Sequence, residues 1–593
     1  MKSRALRLQV LAFALLLSPD AVFAQIPETP PGRQFSAWLD AINSGDRATM
    51  QQFIDKSMPG RPVENSLAIR DQTGGLEFKR VEESTDARIV VLAQERGPAR
   101  QFVRITLSVA ADSPERIAGI RIQPAQAPAD LAPPKLTASE AEAARTGAVF
   151  RQFSAWLEAF NSADRQRIGR YLEANYPSAT VDGQMIFRER TGGFELRALE
   201  QATATSVTGL VQERGSDQFA RFTLVVETDE PHKITRFALN AIARPAEFPV
   251  TRMSEADALA ALRAKLEQDA AADRFAGTAL VGRIDNGNGK VLFSGAYGLA
   301  DREKKVANTL DTRFRIGSMN KMFTAVSILQ LVQAGKIKLD DPLGKYITGY
   351  PNQDVATKVT IHHLLTHTGG TGDIFGPQYN ARRLELRTLD DYVALYGTRA
   401  PLFEPGSRWL YSNYGMLLLG VVIETVSGKS YYDYVAEKIY RPAGMTRSGS
   451  EPESEAVPDR SVGYMRQQGT GGWTPNTNTL PYRGTAAGGG YSTVGDLMRF
   501  ASALMGHKLL NAENTSLLIT GKIDTGGGRM YAYGFDDARK DGIGAVGHGG
   551  GAPGMNGDLR IYPQSGYVVA VLSNLDPPAA GQVSAFLDLR LPK

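Results

Sequence analysis

Ser318 and Lys321 form the only Ser-x-x-Lys in a chain of 593 residues. Residues 318 to 334 place Phe323, Val326, Leu329 and Val332 at helical spacing and stop at Gly335. That pattern predicts a buried helix. At i and i+3 the serine and the lysine share one helix face, a turn apart. The serine falls in the first turn, where free backbone N–H groups and the helix dipole favour negative charge. A neutral lysine in that position takes the serine proton and turns the hydroxyl into a nucleophile. Lysine ordinarily titrates near about 10.4, so desolvation or nearby positive charge must bring it down.

Two further clusters fit the same chemistry. Tyr411-Ser-Asn413 follows Glu404-Pro-Gly406 and precedes an apolar helix over Tyr414 to Val426. In an extended segment residues 411 and 413 point the same way, so a phenol and an amide converge on the serine and lysine. The tyrosine would relay the proton to the leaving group, and the amide would hold Lys321 and a substrate carbonyl. Tyr350-Pro-Asn352 has the same spacing but lies in a turn-like stretch without those flanks, and it reads as structural. The third cluster is Gly547-His548-Gly-Gly-Gly551. Gly549, Gly550 and Gly551 let a backbone approach a ligand closely. An N–H of Gly551, with that of Ser318 itself, is placed to meet a developing oxyanion.

Other chemistries are disfavoured. There is no Gly-x-Ser-x-Gly elbow, and the His548-Gly-Gly-Gly run has no such elbow after it. The run also lacks the Lys-Ser/Thr ending of a phosphate loop. The chain has no cysteine, which excludes disulfides, thiolate metal sites, a cysteine nucleophile and a lipid-modified N-terminal cysteine. His363 and His367 are four apart but lack the intervening glutamate of a zinc protease, so no metal and no cofactor is expected. A formal charge of +4 without a basic stripe gives no footprint for nucleic acid.

The elements that hold these residues begin near residue 253. Ser254 caps a helix, with Asp257 three residues on. Thr278 to Ile284, the turn Asn286-Gly-Asn-Gly289 and Lys290 to Tyr297 read as a hairpin. Met416 to Ile423 is an apolar run too brief to span a membrane. Asp558 to Tyr562 and Tyr567 to Ser573 form a last hairpin, and a helix follows over Ala579 to Leu589. Strands at both ends with helices between them imply one sheet assembled from distant segments, plus an inserted helical lobe.

Ahead of this lies a duplication. Arg33-Gln-Phe-Ser-Ala-Trp-Leu39 recurs as Arg151-Gln-Phe-Ser-Ala-Trp-Leu157. Thr73-Gly-Gly75 recurs at 191–193, and Gln94-Glu-Arg-Gly97 at 212–215, in the same register. Phe35, Trp38, Leu39 and Ile42 lie on one helix face, repeated by Phe153, Trp156, Leu157 and Phe160. Val103, Ile105, Leu107 and Val109 alternate with polar residues, which predicts a sheet with one buried side. Each copy is similar in topology to cystatin-like or nuclear-transport-factor-like α+β domains, and a spacer role is the simplest reading for both. The expected division is a signal segment 1–24, repeats 25–125 and 146–245 with a linker 126–145, and a hydrolase domain 246–593. Lys2, Arg4 and Arg7, the apolar run Val10 to Leu17 and Val22-Phe23-Ala24 read as an export signal. The mature protein is then periplasmic or secreted, with no integral membrane segment.

In their order, Ser318-x-x-Lys321, Tyr411-x-Asn413 and His548-x-Gly550 resemble the serine β-lactamase and penicillin-binding superfamily, which includes family VIII esterases and D-aminopeptidases. Leu364-Leu-Thr-His-Thr-Gly369, Glu404-Pro-Gly406 and Ala487-Gly-Gly-Gly-Tyr-Ser-Thr493 support the likeness over about residues 260–590. The resemblance implies an α/β (α+β) β-lactamase/transpeptidase-like domain with an antiparallel sheet and a helical lobe, behind two α+β repeats. It implies an acyl-enzyme on Ser318 and a small-molecule or peptide-like acyl substrate. His548 stands where β-lactamases of this type carry lysine, which leans away from β-lactams and toward esters or D-amino-acid amides, with His548 contacting substrate or the tyrosine. A non-catalytic envelope binding protein, an acyltransferase and a true β-lactamase remain the alternatives. Acyl group, leaving group and oligomeric state stay open.

Overall fold

The computed structural model describes residues 25–592 apart from 98–99, 111–112, 126–127, 129, 132–133, 468–471, 527–528 and 540–543. The expected signal segment lies outside the described residues. The chain divides into two compact units, Met1–Ala246 and Glu247–Lys593.

The first unit holds the duplication. Each copy places three helices before a four-stranded antiparallel sheet in simple sequential order. In the first copy the helices are Pro30–Ser44, Arg47–Ser57 and Val63–Thr73, and the strands run from Leu76–Ser84 to Ile117–Ala125. In the second the helices are Ala148–Asn161, Arg165–Asn175 and Val181–Thr191, and the strands run from Phe194–Ala202 to Ile234–Ile242. Phe35, Trp38, Leu39 and Ile42 are buried against the sheet, as the spacing predicts. The repeated tripeptide and tetrapeptide turn out to be one device. Gly74 and Gly75 take φ of 68° and 95° to leave the third helix, and Gly97 N–H donates to Thr73 O at 2.7 Å. Gly215 N–H and Thr191 O repeat that bond at 2.8 Å. A Cβ on Gly74 would lie 2.7 Å from Gly97 N, so both motifs need glycine for backbone contact. The second and third helices of each copy carry no strong apolar stripe, which hid them from periodicity. Part of the expected linker is also helical: Ala138–Arg145 is capped reciprocally by Thr137 and Glu140.

The second unit is built on an antiparallel sheet of eight strands among the described residues. In spatial order these are Asn288–Tyr297, Gly277–Asp285, Tyr567–Ser573, Met555–Ile561, Val546–Ala552, Asp536–Asp537, Arg529–Tyr531 and Ile523–Gly526. Strand Tyr567–Ser573 pairs with Gly277–Asp285, so the sheet does join distant parts of the chain. Val568, Ala570 and Leu572 enter the larger core, which includes helix Asn320–Gln333. Val569 and Val571 enter the other, beneath helices Glu255–Ala271 and Ala579–Arg590. Both faces are covered, so the strand reads as an unbroken apolar run. Ser254 caps the first of these helices, accepting from Asp257 N–H at 3.2 Å. The first hairpin closes on Asn286 and Gly287, both at positive φ, two residues where the sequence suggested four. Among the described residues no helix is long and apolar enough to cross a membrane.

Candidate active site

Ser318 lies on a single 3-10 turn, Gly317–Met319, that runs directly into helix Asn320–Gln333. The turn is pressed against the glycine-rich strand Val546–Ala552. Gly317 holds φ of 52°, and a Cβ on it would meet Gly551 N at 3.0 Å. A Cβ on Gly550 would lie 1.9 Å from Ile316 O. Main chain therefore packs on main chain here, and the glycines set how near the strand comes to Ser318. Gly549 contributes its carbonyl, which accepts from His548 Nδ1 at 2.5 Å.

Lys321 points back along the helix to Ser318 and is fully buried. Its Nζ donates to Ser318 Oγ at 3.2 Å, to Asn413 Oδ1 at 2.7 Å and to Ala487 O. Those contacts use all three protons of an ammonium. With two contacts kept, a neutral amine turns its lone pair toward the Ser318 hydroxyl. Burial pushes the lysine down to about 7, with the Asp373 carboxylate working the other way. The Nζ also lies 4.7 Å from the centre of the Tyr411 ring.

Asn413 opens helix Asn413–Ser427, and Ser412 caps that helix by accepting from Gly415 N–H at 2.9 Å. The Asn413 Nδ2 donates to both Asp373 oxygens, at 3.0 and 3.3 Å. That orients the amide, so its oxygen faces the lysine. Burial holds the Tyr411 phenol well above its ordinary value, offset in part by Ser318. At neutral pH Tyr411 is therefore a neutral phenol with a proton to give.

Behind Tyr411 runs a chain of rings whose hydrogen bonds have one consistent direction. Ser412 N–H donates to His367 Nδ1 at 3.3 Å, which leaves the His367 proton on Nε2. That Nε2 is 3.0 Å from Tyr531 Oη, and Tyr531 Oη is 3.2 Å from His548 Nε2. The tyrosine accepts from His367 and donates to His548, whose remaining N–H reaches Gly549 O. Neutral imidazoles satisfy all of these contacts. Desolvation lowers the pKa of each ring, and the charge of Lys321 adds to it. The His367 ring lies 4.5 Å from that of Tyr411 and 4.8 Å from that of Tyr531, while the His548 ring is 6.4 Å from that of Tyr411.

Ser318, Lys321, Tyr411, Asn413, His548 and the glycines 549–551 thus share one cluster. Two partners carried no sequence signal, and a third, Ala487, lay in the motif Ala487-Gly-Gly-Gly-Tyr-Ser-Thr493 without a role assigned to it. Asp373 is a lone acid in a loop, Tyr531 sits on a three-residue strand, and Ala487 acts through its backbone. The rival Tyr350-Pro-Asn352 is elsewhere: Tyr350 is buried against the Tyr414 hydroxyl at 2.9 Å, and Asn352 caps helix Gln353–Lys358. His363 also caps, closing a reciprocal pair with Thr360. His367 lies beyond that helix at φ of 59°, so the two histidines do not share a helix face. Among the described residues no cluster of His, Asp or Glu has metal-holding geometry.

The Beta-lactamase family pattern matches residues 262–591. Penicillin-binding protein 4 of Amycolatopsis lactamdurans is 30% identical over 295 residues, covering 47% of this chain and 76% of the relative. Esterase EstB of Burkholderia gladioli is 36% identical over 187 residues, which is 29% of this chain and 47% of that protein. Among solved structures, a penicillin binding protein from Bacillus halodurans aligns with a TM-score of 0.50 and 34% identity, over 55% of this chain and 97% of that one.

Proposed function

Because the chain belongs to the Beta-lactamase family through residues 262–591, we propose that it is an exported serine hydrolase that cleaves ester or amide bonds through an acyl-enzyme on Ser318. The observation that carries the reading is the buried Lys321 Nζ, 3.2 Å from Ser318 Oγ and brought down to about 7. A base titrating near the working pH is what proton transfer from a hydroxyl needs.

Ser318 Oγ gives its proton to neutral Lys321 and attacks the substrate carbonyl carbon. The oxyanion is met by the N–H groups of Ser318 and Gly551. Collapse expels the alcohol or amine, which takes a proton from Tyr411 as Lys321 re-supplies the phenol. Water then attacks the ester on Ser318 by the same route in reverse. Asn413, held by Asp373, keeps Lys321 aimed and offers its amide edge to the substrate. His548 supports this arrangement from behind as a neutral ring.

The neutral His548 also bears on substrate choice. β-Lactam carboxylates are matched by a cation, and burial lowers the His548 pKa and disfavours one there. Substrates without an anionic group at that place fit better, which favours simple esters and D-amino-acid amides. The similarity to an esterase supports the same direction.

A fluorophosphonate probe tests the nucleophile. The intact protein is expected to label, and Ser318→Ala to lose the label; labelling unchanged in that variant refutes the assignment. Turnover of a panel of p-nitrophenyl esters, D-amino-acid amides and nitrocefin then ranks the substrates, with nitrocefin expected last.

A further inference from the structure

The two N-terminal copies share a backbone plan but not an interior. In the second copy the indole N–H of Trp156 donates to Gln184 Oε1 at 3.0 Å. The ring of Phe237 meets that indole edge-on at 4.4 Å, and Phe187 packs 5.7 Å from Phe160. The matched helices and strand registers put Ser66, Ile120 and Ile69 at the corresponding places of the first copy. Each is smaller than its counterpart. The first copy has a cavity of about 450 Å³ there, lined by Trp38, Met58 and these three residues among others. That is the size of a small-molecule pocket.

The polar groups in the cavity lack what the second copy supplies. Trp38 is 2% exposed and Ser66 is 9% exposed. Neither the Trp38 N–H nor the Ser66 hydroxyl has a hydrogen-bond partner among the described residues. Neither atom is wholly shut off from the cavity, so an acceptor bound there can meet both in place of water. The charges are unbalanced as well. Arg236 is matched by buried Glu95, at 2.8 and 3.0 Å. Arg61, exposed and also lining the cavity, has no ion-pair partner among the described residues. The helix Val63–Thr73 begins beside it at Pro62, with no side chain capping its first N–H groups. Donors and one surplus positive charge face an apolar wall of Met58, Ile69 and Ile120.

We infer that the first repeat is a binding domain for a small amphipathic carboxylate. The carboxylate oxygens accept from Trp38 and Ser66 near Arg61, and the apolar body lies against the aliphatic wall. The second repeat is the same fold with that site filled by its own side chains. This assignment does not depend on the chemistry at Ser318.

Calorimetric titration of decanoate into the full-length protein tests it. Saturable binding to one site is expected. Ser66→Gln with Ile120→Phe copies the interior of the second repeat, and it is expected to weaken binding about tenfold or more with the melting transition kept. Should the pair perturb folding, Ser66→Gln alone, which remakes only the bond to the indole, is expected to weaken binding in the same direction. Arg61→Gln should weaken decanoate about threefold, as an exposed charge allows, and leave decanol unchanged. Absence of decanoate binding overturns the inference. So does undiminished binding in the filled variants, which would put the site elsewhere, and so does decanol binding as tightly as decanoate.

Discussion

The acid limb of the pH–rate profile should follow Lys321, and Asp373→Asn should move it. Lys321 is active as a base only when neutral, so kcat/KM is expected to rise with pH and level off above about 7. Asp373 opposes the deprotonation, since its carboxylate favours the ammonium. Asparagine at 373 keeps an acceptor for Asn413 Nδ2 but removes the charge. The two bonds through Asn413, 2.7 and 3.0 Å long, set the separation of the charges. At roughly 7 Å and an effective dielectric of about 20 to 40, their attraction is about 1–2 kcal/mol. That corresponds to about one pH unit. Asp373→Asn is therefore expected to carry the limb down to about 6 with the plateau largely kept. The assay is kcat/KM for a p-nitrophenyl ester between pH 5 and pH 9, with rates of fluorophosphonate labelling as a second readout. A limb that stays in place or moves upward refutes the electrostatic account. A flat wild-type profile refutes Lys321 as the base.

Other variants probe the rest of the site. Tyr411→Phe removes the proton relay and should lower kcat/KM by about 10²- to 10⁴-fold, measured on the same esters, with the fold intact by circular dichroism. Lys321→Met should stabilise the protein at low pH. In the fold Lys321 titrates at about 7, below its ordinary value of 10.5, so below pH 7 the fold buries a charge that the unfolded chain solvates. That penalty is on the order of 5 kcal/mol, and it fades as pH rises from 7 toward 10.5. The melting temperature of Lys321→Met should therefore exceed that of the wild type at pH 6, by a margin that shrinks at higher pH; a margin that grows with pH contradicts the sign. Gly550→Ala introduces a Cβ 1.9 Å from Ile316 O, and overpacking of this kind costs about 1–3 kcal/mol. It should lower both the melting temperature and the labelling rate of Ser318, and wild-type labelling in that variant would show that the strand is not seated on the turn.

Much of this was legible beforehand because it rests on local pattern. Helix Asn320–Gln333 follows from apolar spacing, and the outer hairpin from the turn signal Asn286-Gly-Asn-Gly289, of which the fold uses only the first two residues. The helix beyond Tyr411-Ser-Asn413 follows from its apolar run, while the Ser412 cap shows only in the fold. The duplication was visible because Thr73-Gly-Gly75 and Gln94-Glu-Arg-Gly97 need glycines for one backbone contact, and that need leaves a motif. The short helices of each repeat left none, since no strong stripe marks them. Asp373 and Tyr531 left none either, since each acts singly, and a single residue has no period.

The sequence by itself determined which residues are chemically able to act: a serine and lysine one helical turn apart, a tyrosine and amide two residues apart, and glycines that admit a backbone. Turn geometry and side-chain period are local, so one strand of text suffices for them. Only the tertiary structure decided their states. Burial brings Lys321 to about 7, and a carboxylate from residue 373 aims the amide that holds it. Burial and a chain of hydrogen bonds through Tyr531 favour neutral His367 and His548. Desolvation and hydrogen-bond direction depend on what surrounds a group from every side, and those neighbours come from segments far apart in the chain.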